Sequence, residues 1–135
     1  MNTSTLPLTG KIAIVTGGSR SIGAAIAKRL AADGATVAIT YNASPDRAAA
    51  VVQEIVAAGG QAVALAADAG NPEAVRAAIA EVAQRFGKID ILVNNAGISL
   101  LGAPEDIVFE DFQRILAVNV TGVFVATQQA LKHMG

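Results

Sequence analysis

The sequence predicts a doubly wound α/β fold with a parallel sheet, on the strength of three observations. Short apolar runs alternate with helical segments in four successive units. The first unit carries a glycine-rich turn between its strand and its helix. The stretches that follow the four apolar runs hold small and polar residues. Strands that alternate with helices need right-handed crossovers, which makes the strands parallel. In such a sheet ligands sit beyond the carboxyl ends of the strands, where strand order reverses.

The elements follow in order. Ile12 to Val15 is an apolar run of the kind a buried parallel strand shows. Thr16 to Ser21 is the turn, and after Ile22 and Gly23 the alanine-rich AAIAKRLAAD has good helix propensity. Asp33-Gly34 closes that helix. Ala35 to Thr40 is the second strand. Ser44 is a fitting N-cap and Pro45 a fitting first residue for a helix over Asp46 to Ala58, stopped by Gly59-Gly60. Gln61 to Ala66 is the third strand and Asp68-Ala69-Gly70 a turn. Asn71-Pro72 repeats the cap logic ahead of a helix over Ala74 to Phe86, with Val75, Ile79, Val82 and Phe86 on one face. Ile89 to Val93 is the fourth strand, followed by Asn94-Asn95-Ala96-Gly97. A loop with Pro104 leads to a long helix from about Glu110 to Met134. His133 is expected as a solvated or dipole-stabilised histidine near its end.

Composition bounds the function. The chain of 135 residues fits one domain, and with 53% apolar but only 4% aromatic residues its core is built from Ala, Val, Ile and Leu. A net charge of −1 offers no basic field for nucleic acid and no polybasic membrane patch. With no cysteine there are no disulfides and no thiolate-bound zinc, and no metal site is expected. The N-terminus has neither the basic nor the apolar segment of a signal peptide, and no apolar run reaches membrane-spanning length, so a cytoplasmic protein is expected.

The chemistry concentrates in Lys11 to Gly23. Amides at the first turn of a helix have no intrahelical partner and lie at the positive end of its dipole, so they hold anions. Gly17, Ser19, Arg20, Ser21, Ile22 and Gly23 are the candidate pyrophosphate contacts. The pattern is not GxGxxG, because Ser19 and Ile22 stand where it needs glycine, and no Lys-Ser or Lys-Thr follows Gly23 to make a Walker loop. Asn42 and Ser44, Asp68 and Ala69, and Asn95 and Gly97 fall at the same sheet edge, where one long nucleotide could touch them all. No acid occurs at residues 41–43, where NAD sites place one on the ribose. With Arg20 able to pair with a 2′-phosphate, NADP(H) is favoured over NAD(H). Asn119 and Gly122 interrupt an otherwise apolar helix, a local cost that often marks a site or a close helix contact.

Assembled, these residues resemble the N-terminal half of a short-chain dehydrogenase/reductase, most of all the 3-oxoacyl-carrier-protein reductase branch, over residues 9–135. The opening TGxxxGxG is met by Thr16, Gly17 and Gly23, with Ser21 in place of the middle glycine. NNAG is met at residues 94–97. The resemblance implies a partial Rossmann-type sheet of about four strands in the order 3-2-1-4, with residues 1–135 as one dinucleotide-binding domain, half of a longer fold. It implies Asp68 at the adenine amino group, with Ala69 offering its backbone. Asn95 would brace the central strands, and Asn119 would be the catalytic asparagine that holds a water in a proton relay. It further implies NADP(H)-dependent hydride transfer to a small carbonyl substrate, a 3-oxoacyl thioester or similar ketone, by a homo-oligomer (dimer or tetramer). The fourth strand is then expected as an open edge, and the last helix to lack part of its covering. The family's serine and Tyr-x-x-x-Lys have no match: the single tyrosine is Tyr41, with Pro45 four residues on. The 135-residue polypeptide is therefore expected to be inactive alone. The alternatives are a non-catalytic half-length nucleotide-binding module, or an interaction protein that has lost the cofactor.

Overall fold

The computed structural model describes residues 6–19, 21–98 and 103–135. Strands β1 (Ile12–Val15), β2 (Thr36–Tyr41), β3 (Gln61–Ala66) and β4 (Ile91–Val93) form one parallel sheet in the order β3-β2-β1-β4. Helices α1 (Ser21–Ala32), α2 (Pro45–Ala57) and α3 (Pro72–Phe86) are the crossovers. After β4 and a single 3₁₀ turn at Pro104–Asp106 come α4 (Phe109–Leu116), a π-helical turn at Ala117–Thr121 and α5 (Gly122–Leu131).

The doubly wound arrangement follows from β1. All four of its residues are buried, and alternation sends Ile12 and Ile14 to one face and Ala13 and Val15 to the other. Ala13 and Val15 pack with Ala24, Ala27 and Ala31 of α1 and with Val51 and Ile55 of α2. Ile12 and Ile14 pack with Val75, Ile79 and Val82 of α3 and with Ala126 and Ala130 of α5. Alanines at i, i+3 and i+7 let α1 lie close to the sheet. Ile14, Ile39 and Ile79 are almost wholly buried, and each contributes about 2 kcal/mol by leaving water.

The register brings the strand ends level. Val15 pairs with Ile39 and Val93, and Tyr41 with Ala66, so the four following turns share one edge. β4 begins two residues later than the apolar pattern predicts. Asp90 is held instead by Ile12, whose amide donates to Asp90 Oδ2 at 2.8 Å. That bond, joined by the Lys88 ammonium, keeps the Asp90 carboxyl below the usual carboxylate range against the opposing effect of burial.

The two proline-headed helices differ at their caps. Asn71 accepts from the amides of Glu73 and Ala74 at 3.1 and 3.2 Å, as an N-cap should. Ser44 makes no side-chain cap bond, because its backbone (φ −130°, ψ 67°) turns the hydroxyl away. His133 is half-buried, and its Nε2 is buried without a partner among the described residues. No helix among the described residues is long and apolar enough to cross a membrane.

Candidate functional site

The four turns line one groove of about 390 Å³ at the carboxyl edge of the sheet, within the size range of small-molecule sites. It is lined by Gly17, Ser19, Ser21, Ile22 and Gly23 from the first turn and by Asn42 and Ser44 from the second. Asp68 and Ala69 come from the third, Asn95 and Gly97 from the fourth. Arg20, on which the argument for NADP(H) leaned, lies outside the described residues. Behind the groove a cavity of about 20 Å³ between Thr16, Thr40 and Ile79 has room for a water at most.

The first turn is tied down by two threonines. Thr40, at the end of β2, accepts from the Gly17 amide through its hydroxyl at 3.1 Å and from the Gly18 amide through its carbonyl at 3.1 Å. Those two amides are therefore spent inside the protein, which narrows the expected cradle. The amides of Ser21, Ile22 and Gly23, at the start of α1, have no partner within the helix and remain for an anion. Thr16 Oγ1 accepts from the amides of Asn95 and Ala96, both at 3.1 Å. Asn95 Nδ2 donates to the Gly17 carbonyl at 3.0 Å. Thus Asn95 joins the loops after β1 and β4. Gly23 makes this possible, since a Cβ there would overlap both Asn95 Nδ2 and Gly17 O. Asn94 is turned the other way and donates to Thr127 of α5 at 3.1 Å.

Ser21 is the one described non-glycine residue with positive φ, at +52°. This is the left-handed region, where a Cβ costs about 1 kcal/mol. The side chain is exposed on the groove wall rather than packed inside the first turn.

Asn119 lies within the π-helical turn. It accepts from the Ile98 amide at 2.9 Å and donates to the Ile98 carbonyl at 2.8 Å. Its side-chain amide is thus engaged with the backbone just past the NNAG turn, and Asn119 does not line the groove. Gly122 lets α5 approach the third turn, because a Cβ there would overlap the Ala69 carbonyl.

Arg114 belongs to the site and escaped the sequence reading. Its Nη2 donates to Asp68 Oδ1 at 2.7 Å and its Nη1 to Oδ2 at 3.0 Å. The guanidinium, joined by the Gly70 amide, holds the Asp68 carboxyl below its usual range against the effect of burial. The signal was present: Arg114 is the single cation between Phe109 and Leu131. Thr40 left a fainter one, a hydroxyl closing an apolar run. Among the described residues that line the groove, Asp68 and Arg114 carry the only formal charges, and they offset each other. The groove therefore opposes a polyanion less than a free carboxylate would. Among the described residues no cluster of potential metal ligands occurs.

A doubly wound sheet with a glycine turn at its switch point and a groove along its carboxyl edge is the architecture of the Rossmann-type α/β class. The pattern of the short chain dehydrogenase family matches residues 11–135, and the chain belongs to that family. An uncharacterized oxidoreductase of Methylorubrum extorquens is 49% identical over 128 residues, which are 95% of this chain and 52% of that protein. A 3-oxoacyl-[acyl-carrier-protein] reductase of Synechocystis is 43% identical over 94% of this chain and 51% of its own length. A Burkholderia cenocepacia short chain dehydrogenase, solved in complex with NADP, superimposes with a TM-score of 0.92 at 58% identity, over 95% of this chain and 52% of that one. The chain spans about half the length of these relatives.

Proposed function

We propose that this chain is the nucleotide-binding part of an NADP(H)-dependent oxidoreductase acting on a carbonyl/alcohol pair, a 3-oxoacyl thioester or similar ketone. Residues 1–135 form one dinucleotide-binding domain in this reading. The observation that carries it is the convergence of the four turns on one groove with the start of α1 at its head. The cofactor, when bound, supplies or takes up the hydride. The amides of Ser21 to Gly23 hold the pyrophosphate, Asn42 and Ser44 face the adenosine ribose and its 2′-phosphate, and Asp68 accepts from the adenine amine. Asn95 keeps the floor of the groove in register. Asn119 holds Ile98, and with it the backbone beside the nicotinamide end of the groove, as its part in the proton relay. The protein works in the cytoplasm as a homo-oligomer joined through α4 and α5, and takes neither nucleic acid nor membrane as partner.

The proton-transfer pair that the family resemblance implies is not among these residues, since Tyr41 is the single tyrosine and Pro45 stands four on. The second reading is a nucleotide-binding module without catalysis. One titration and one assay test the readings. NADPH fluorescence should change saturably on adding the 135-residue chain, more tightly than NADH, while a ketone-reduction assay with NADPH shows no turnover. Absence of any binding would overturn both readings, and turnover would overturn the second.

A further inference from the structure

We propose that Arg114 is a positioning residue that makes Asp68 selective for a purine bearing an exocyclic amine. The proposal rests on the groove being a nucleotide site and deepens that reading.

An ionised carboxylate only accepts, with about four lone-pair positions. Three are filled at Asp68. Oδ1 accepts from Gly70 N at 2.9 Å and from Arg114 Nη2 at 2.7 Å, and Oδ2 accepts from Arg114 Nη1 at 3.0 Å. Among the described residues one acceptor position remains, on Oδ2, and both Asp68 and Arg114 line the groove. The bidentate fork fixes the plane of the carboxylate, so that lone pair has one direction. A base with an amino group can fill it, whereas a base with a carbonyl oxygen there meets a second acceptor. Without Arg114 the carboxylate is free to rotate, and its remaining lone pair loses its fixed direction.

The surrounding residues reserve this seat. A Cβ at Gly70 would overlap Arg114 Nη1, so glycine there makes room for the guanidinium. Gly122 presses the same loop from α5. Arg114 thus reaches from the helix that carries Asn119 to the base end of the groove, and the third turn is held from both sides.

The test compares NADPH with its hypoxanthine counterpart, in which an oxygen replaces the adenine amine. Both are titrated by fluorescence into the 135-residue chain and its variants. The parent chain should prefer NADPH by more than about tenfold. Arg114→Met should weaken NADPH about tenfold and leave the hypoxanthine form within about twofold, so the preference collapses. Arg114→Lys, a single-point donor, should keep part of it. A loss in Arg114→Met that is equal for both nucleotides would mean a merely structural role and overturn the proposal. So would a parent chain that binds the two equally. A parent chain that binds neither would overturn the nucleotide reading itself. If Arg114→Met does not fold by circular dichroism, Arg114→Lys and Gly70→Ala, whose methyl displaces the guanidinium, decide by the same comparison.

Discussion

Around Gly17, Gly18, Gly23 and Asn95, the side chains of Thr16, Thr40 and Asn95 that shape the turn are partnered and the glycines sit where a side chain would collide. On α4 and α5 the opposite holds: large apolar side chains face outward. Phe109, Phe124 and Leu131 are each more than 60% exposed, and Phe112 and Leu116 more than 40%. Both regions follow parallel strands at the same edge of the sheet, and both are sewn to the groove, one by Asn95 and the other by Arg114 and Asn119. The difference lies in what covers them. The first region is covered among the described residues, because α1 and α2 close over the sheet face beside it. In the second, α5 packs its inner face on α3, while the outer face of α4 and α5 has no covering among the described residues. Apolar patches of that kind mark interaction surfaces.

The sharpest way to break the first region is Gly23→Val. Overlap with Asn95 and Gly17 should destabilise the chain by about 3 kcal/mol and abolish NADPH binding, read from the denaturant midpoint and the fluorescence titration. A variant as stable as its parent would mean that the loops after β1 and β4 are not joined through Asn95.

The second region is tested with Phe124→Glu. The parent chain should run as a dimer or larger species in size-exclusion chromatography. The variant should run as a monomer with its own stability changed by less than about 0.5 kcal/mol. A monomeric parent at high concentration would remove the contrast between the regions.

Ser21→Gly is a smaller and opposite change. Relief of the left-handed serine should stabilise the chain by about 0.5–1 kcal/mol, and thermal unfolding should rise by about 3 °C. No rise would mean that the serine side chain contributes as much as its backbone costs.

Acid should destabilise the fold in a defined window, through Asp68 at the groove and Asp90 at the opposite edge of the sheet. Asp68 and Asp90 both have folded-state pKa values depressed by their partners. Their contribution is therefore complete above the unfolded carboxylate value of about 3.9 and is lost as pH falls through the lower folded values. Unfolding free energy should be flat from neutral pH to about 5 and decline below about 4, less steeply in Asp68→Asn. The apolar stripe on α4 and α5 contributes nothing to that slope.

Much of this was legible in the residues. Ile12 to Val15 read as a buried strand because both its faces are apolar, and that alone requires helices on both sides. Asn94 to Gly97 read as a site because the pattern is specific. Ser44 and Asn71 show the limit. Each is the N-cap residue ahead of a proline, yet only Asn71, with its extended backbone, caps through its side chain, while Ser44 accepts from Ala48 through its carbonyl alone. Arg114 shows a second limit. Its partner lies 46 residues away, and no local pattern announces a pair closed by the packing of α4 on the third turn.

What the amino acids determined alone is the alternation of strand and helix, the parallel sheet and the edge at which the turns gather. Those depend on local periodicity and on which residues lack a Cβ, and both are written along the chain. The packed molecule decided which polar groups remain available. Thr40 takes two of the amides in the first turn, Arg114 takes most of Asp68, and Ile98 takes Asn119. A hydrogen bond between distant residues exists only once the sheet has brought them within about 3 Å of each other, and order along the chain carries no record of that distance.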